Sequence, residues 1–186
     1  MPSSLAFRVE ASMLNGSSVS LQSSKSLESG FIATSSPSTL TMIFAQFRPA
    51  TFVIRLEMGD DIVGSIKRFA KAKRIRAAMF EGIGSLNKAR LGHYDFRTKN
   101  YKYELFEEDL EILILSGNIS TMNNEPLPHA HATLGRRDFT VIGGHLDEES
   151  IANMVEIGLY TLPGKLVKSR DEEVGLNLLQ LPKRLR

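Results

Sequence analysis

A helical period appears once in this chain, and almost everything after it reads as strands. The alternating run Thr51–Glu57 (TFVIRLE) is broken at Gly59, after which Asp60 or Asp61 is placed to cap a helix. The apolar residues of that helix, Ile62, Val63, Ile66, Phe69 and Ala70, form a single stripe that must be covered by something else. The later strands supply the cover. Ile75–Ile83, Leu86–Arg97 and Tyr101–Glu107 read as successive strands, the last two joined by a tight turn at Thr98–Asn100. Glu111–Ser120 (EILILSGNIS) is mostly apolar, rich in β-formers and short for a helix, so it reads as a central strand. Residues 126–146 supply two more strands, Ile151–Tyr160 another and Leu176–Leu181 the last. One early helix among many strands predicts an α+β domain with a mixed, mainly antiparallel sheet.

The first forty residues follow a different rule. Thirteen are Ser, the only charges are Arg8, Glu10, Lys25 and Glu28, and no period persists. Such a composition buries too little apolar surface to offset chain entropy. The expectation is a disordered Ser-rich tail over residues 1–46, or a targeting or non-native extension with Met42 as the true start, ahead of a domain spanning 47–186. Residues before about Phe47 then add no contact to the core. Ser-rich and acid-poor text also suits an organelle transit peptide, although Arg is scarce. An organelle is therefore the alternative to the cytoplasm.

Bulk composition removes several classes of function. The chain has no cysteine, which excludes disulfides and thiolate chemistry and fits a reducing compartment. Any metal must be held by histidine, carboxylate or backbone oxygen. A net charge of +2 is too small to announce nucleic acid or an anionic membrane, and no run approaches the roughly eighteen apolar residues a spanning helix needs. No membrane partner is expected. Lys67, Lys71 and Arg74 share one helix face, which either grips phosphates or is simply the solvated side. Gly82 and Gly84 precede a strand rather than a helix, so they suit a turn or bulge better than a phosphate cradle. No G-x-S-x-G elbow is present.

Three of the four histidines fall within residues 126–146. His129 and His131, two apart on a strand, leave from the same face. Phe139–His145 is the natural antiparallel partner across Gly135–Asp138. Three imidazoles suit zinc, iron, nickel or copper, and three ligands with an open position form a known catalytic arrangement. The competing reading is three separate strand histidines, each bonded to backbone or water. Strand parity separates the two. A two-residue loop at Arg136–Arg137 sends His145 to the wrong face. A shared site needs a three-residue loop, Arg136–Asp138, which sets His129 opposite His145 and Gly143 opposite His131, or else a bulge at Gly143–Gly144. His93 stands alone and reads as an ordinary strand residue. Glu125 is the carboxylate nearest by sequence for a general base.

The segments RAAMFEGIGSLNKARLGHYD (76–95), LEILILSGNIS (110–120) and PHAHATLGRRDFTVIGGHL (128–146), taken in order, resemble the plants-and-prokaryotes-conserved (PPC) domain. The resemblance runs from about Thr51 to Pro182. It implies a compact fold with a mainly antiparallel sheet that assembles as a homotrimer, and a divalent-metal site, usually zinc, at His129, His131 and His145. It also implies a DNA-associated, regulatory binding role. An Arg-Gly-Arg-Pro AT-hook core is missing here, so weak DNA binding is expected. His93 departs from the aromatic residue that the family prefers at its position. The alternative function is a metal-dependent enzyme acting on a small molecule, of unknown identity, at a subunit cleft.

Overall fold

The computed structural model describes residues 5–6, 9–12, 39–48 and 50–181. Three strands, β1 (Leu5–Ala6), β2 (Val9–Ser12) and β3 (Thr39–Arg48), precede β4 (Thr51–Leu56) and the single helix α1 (Ile62–Ala72). Then come β5 (Ala78–Asp95), β6 (Asn100–Phe106), β7 (Leu110–Met122), β8 (Glu125–Gly135), β9 (Val141–Leu146), β10 (Ile151–Thr161), β11 (Lys168–Asp171) and β12 (Leu176–Leu179). The main sheet runs β1-β3-β4-β10-β5-β7-β8-β9, with β2 on β3 and β6 on β5, while β11 and β12 form a separate hairpin. Every ladder among these strands is antiparallel, and the parallel contact is an isolated bridge, Thr121 to Val167.

The helix forms where its stripe and cap predict. The Asp61 Oδ1 accepts from the Gly64 amide at 2.9 Å, and its Oδ2 accepts from the Glu149 amide at 3.1 Å, so one carboxylate caps the helix and ties it to the β9–β10 connection. Ile62, Val63, Ile66, Phe69 and Ala70 are all buried. The Phe69 ring meets Phe44 and Phe52 edge-on, each at 5.3 Å between centroids.

That contact corrects the expected start of the domain. Phe44 is 6% exposed and belongs to the core, because β3 pairs with β4 and alternation turns its ring inward. A composition averaged over Ser-rich text hides the short alternating run Ile43–Phe47. Of the tail expected over residues 1–46, residues 1–4, 7–8 and 13–38 lie outside the described residues.

The two strands expected over Ile75–Ile83 and Leu86–Arg97 are one long strand, β5. The glycine pair makes a bulge inside it: the β5–β7 register shifts between Gly82 and Gly84, and Gly84 has φ +142°. A Cβ at Gly84 would collide with the Met154 carbonyl of β10. Bent by that bulge, β5 pairs with β10 and β7 along its first half, and with β6 and β9 along its second. Its pairing with β9 closes the circuit β5–β7–β8–β9. Leu91, Leu115, Ala130, Ala132, Leu134 and Leu146 point into that circuit and are buried.

Candidate metal centre

With β8 turning alternate residues into the core, His129 and His131 point outward on the opposite face, and the β8–β9 register sets His131 directly across from His145. The connecting loop is Arg136–Thr140, two residues longer than predicted. The Arg136 amide donates to the Thr140 carbonyl at 2.9 Å, and the Asp138 carboxylate accepts from the Thr140 amide at 3.0 Å and its hydroxyl at 2.6 Å. Adding two residues preserves parity, so the three imidazoles still share a face. It moves the pairing, however: His131 rather than His129 faces His145, and Gly143 lies across from Thr133 rather than His131. At Gly144 a Cβ would stand 2.8 Å from the Gly92 carbonyl oxygen, so glycine there lets β5 approach the strand that carries His145.

One ring nitrogen from each of His129, His131 and His145 lies within 4.8 Å of the others. The Nε2 atoms of His129 and His131 are 3.3 Å apart. Two nitrogens held at 2.0–2.1 Å by one tetrahedral ion are separated by roughly 3.3–3.4 Å. The His145 Nδ1 is buried and has no hydrogen-bond partner, although buried polar atoms are almost always paired. Burial, then the Lys168 charge, then the other two imidazoles lower the His129 pKa from 6.5 to about 4. Burial and His131 also lower that of His145, against the opposing pull of Asp147. Neutral imidazoles are the form that binds a cation. The donor set and its unpaired nitrogen fit a divalent ion.

The remaining candidates fall elsewhere. His93 follows Gly92, which pairs with His145, so its side chain leaves from the other face and is exposed. Glu125 forms an ion pair with Lys71 at 2.8 Å.

A cavity of about 440 Å³ opens against His129 and His145. Asn118, opposite His129 on β7, and Tyr101, whose ring centroid is 5.2 Å from that of His145, stand beside them. The β11–β12 hairpin forms the roof and brings in Lys168. Hydrogen bonds from neighbouring strands fix that roof. The amide and hydroxyl of Thr121 donate to the Leu166 carbonyl at 2.8 and 3.0 Å, and the Tyr94 hydroxyl donates to the Val174 carbonyl at 2.8 Å. Sequence reasoning found the second arm of this hairpin and missed the first. The turn-forming text Asp171–Gly175 marks a hairpin, but no local spacing aims Lys168 at histidines more than twenty residues before it.

Residues 45–163 match the Plants and Prokaryotes Conserved (PCC) domain. The chain belongs to this family. Solved structures agree. A candidate DNA-binding protein from Bacteroides thetaiotaomicron is 28% identical, with a TM-score of 0.71 over 75% of this chain and 96% of that one. A metal-containing protein from Archaeoglobus fulgidus is 37% identical, with a TM-score of 0.67 over 70% of this chain and 93% of that one. A plant- and prokaryote-conserved protein from Pyrococcus horikoshii is 30% identical, with a TM-score of 0.68 over 77% and 96%. No curated protein shows significant sequence similarity. The PCC match contains all three clustered histidines and ends before β11, so Lys168 lies beyond it.

Proposed function

We propose that this PCC-family chain is a homotrimeric, DNA-associated binding protein that holds a divalent ion, zinc foremost, through His129, His131 and His145. The observation that carries the metal is the convergence of three imidazoles, two of them with nitrogens 3.3 Å apart. The metal-containing relative supports it. When bound, the ion supplies Lewis acidity to whatever reaches it from the cavity. The chain's own part is to keep His129 neutral by burial and to cover one side of the cavity with the β11–β12 roof.

Support for self-assembly comes from the outward face of the main sheet. Val53, Met79, Ile83, Met154 and Tyr160 share that face by register and are 38–61% exposed. By the same register the exposed Glu81 and Glu156 sit between them, and apolar residues clustered on one exposed face in this way mark an interaction surface. DNA association rests on relatives named as candidate DNA-binding proteins. The helix contributes little to it: Lys67 is paired with Glu148 at 3.4 Å and Lys71 with Glu125, which is how a solvated face behaves. The absence of cysteine is the basis for proposing the cytoplasm. A second reading, a metal-dependent enzyme acting on a small molecule, is favoured by the cavity beside the histidines.

Elemental analysis of the purified chain tests the metal. About one divalent ion per chain is expected for a three-histidine site. A chain that neither retains nor takes up zinc rejects the reading.

A further inference from the structure

Lys168 is an uncompensated cation. It is 9% exposed, and among the described residues no carboxylate lies within ion-pairing distance of it and no hydrogen bond uses it. Two acidic residues line the same cavity, but both are engaged elsewhere. Asp147 faces Arg90 at 3.4 Å, and Glu148 faces Lys67 at 3.4 Å. Its stem is buried while its ammonium opens to the cavity, where no protein carboxylate compensates it, and proteins normally pair such a group. Here burial lowers its pKa, and its charge is felt by both His129 and His145.

Two more polar groups in this cavity lack partners. The Asn118 Oδ1 and the His145 Nδ1 are buried and unbonded. A cation, an amide and an imidazole edge therefore converge on one space, with Leu127 and Leu178 supplying apolar wall beside them. An unpaired cation beside two buried, unbonded polar atoms in a cavity of about 440 Å³ describes a ligand site rather than a packing defect.

We propose that the cavity under the β11–β12 hairpin binds a small organic oxyanion, a carboxylate or a phosphate, whose charged end is taken by Lys168 next to the histidine cluster, leaving the Asn118 Oδ1 to accept from a donor elsewhere on the ligand. This deepens the metal reading and rests on it for the ion's share of the attraction. The share contributed by Lys168 is separate. Because the roof is bonded at Thr121 and Tyr94, the backbone that carries Lys168 is held in place before the ligand arrives, and less ordering is needed on binding.

Calorimetric titration of the full-length, zinc-loaded chain with inorganic phosphate, and separately with butyrate, tests the site. Saturable binding of at least one probe is expected, and which one binds distinguishes phosphates from carboxylates. Lys168→Met and Lys168→Gln should each weaken that binding at least about tenfold. Zinc content should be unchanged, and melting temperature unchanged or raised, since a buried unpaired charge has been removed. Lys168→Arg should retain part of the binding. If neither probe binds the zinc-loaded chain, or if binding survives both neutral substitutions, the proposal is overturned. If the chain takes up no zinc, the metal reading fails by itself. The same titration on the metal-free chain then decides the anion, where Lys168-dependent binding upholds the site and no binding overturns it.

Discussion

Burial of His129 beside the cavity, together with the Lys168 charge and the neighbouring imidazoles, holds its ring neutral down to about pH 4. The unfolded chain protonates the same ring near 6.5. Between those values the unfolded state binds more protons, so stability rises with pH across the window and is lost as pH falls through it. For metal-free protein, chemical-denaturation midpoints should therefore decline from about pH 6.5 toward pH 4, and His129→Gln should flatten that decline. An equally steep decline in the variant would assign the effect to other groups. The neighbouring His145 has a different expected signature. His145→Ala should sharply lower zinc content while leaving the far-ultraviolet dichroism spectrum unchanged, because the imidazole lies outside the hydrophobic core. Retained zinc would remove His145 from the ligand set. At this scale the histidines were legible, since i and i+2 on a strand share a face whatever the fold. Lys168 was not, because the strand that carries it returns to the histidines from beyond β9 and β10.

Among the elements, α1 was the most legible, its cap and stripe both being local. The strands were legible as strands, though not always in number. A glycine pair between two β-rich runs suits a break or a bulge equally well, and β10, packed against Gly84, decides for the bulge. The β8–β9 loop is two residues longer than parity alone suggests, because its length depends on side-chain bonds from Asp138, which parity does not see. β3 is hidden by its setting in Ser-rich text, and it gives a direct test. Phe44→Ala removes a buried ring packed on Phe52 and Phe69, and should cost about 3 to 5 kcal/mol in denaturant unfolding. A loss below about 1 kcal/mol would place β3 outside the cooperative unit.

For the whole molecule, the closed circuit of β5, β7, β8 and β9 was not legible, since pairing partners far apart in sequence leave no local trace. The apolar outer face was equally hidden, because the same alternation describes a buried face and an assembling one. Ile83→Glu on that face should convert the proposed trimer to monomers in sedimentation velocity, with the fold intact. A sedimentation coefficient identical to that of the unsubstituted chain would locate any assembly elsewhere. Toward DNA, two unrelated duplexes should bind weakly and alike, and binding should vanish at moderate salt. Tight, sequence-selective binding at physiological salt would contradict this.

The roof of the cavity and its histidine wall reach the same space along separate stretches of chain, and only the histidines lie within the family match. Such a construction lets one part be traded while the other is kept. A sister protein with the same three imidazoles and a different terminal hairpin would hold the same ion yet greet a different guest, and grafting hairpins between relatives would transplant preference without disturbing the metal.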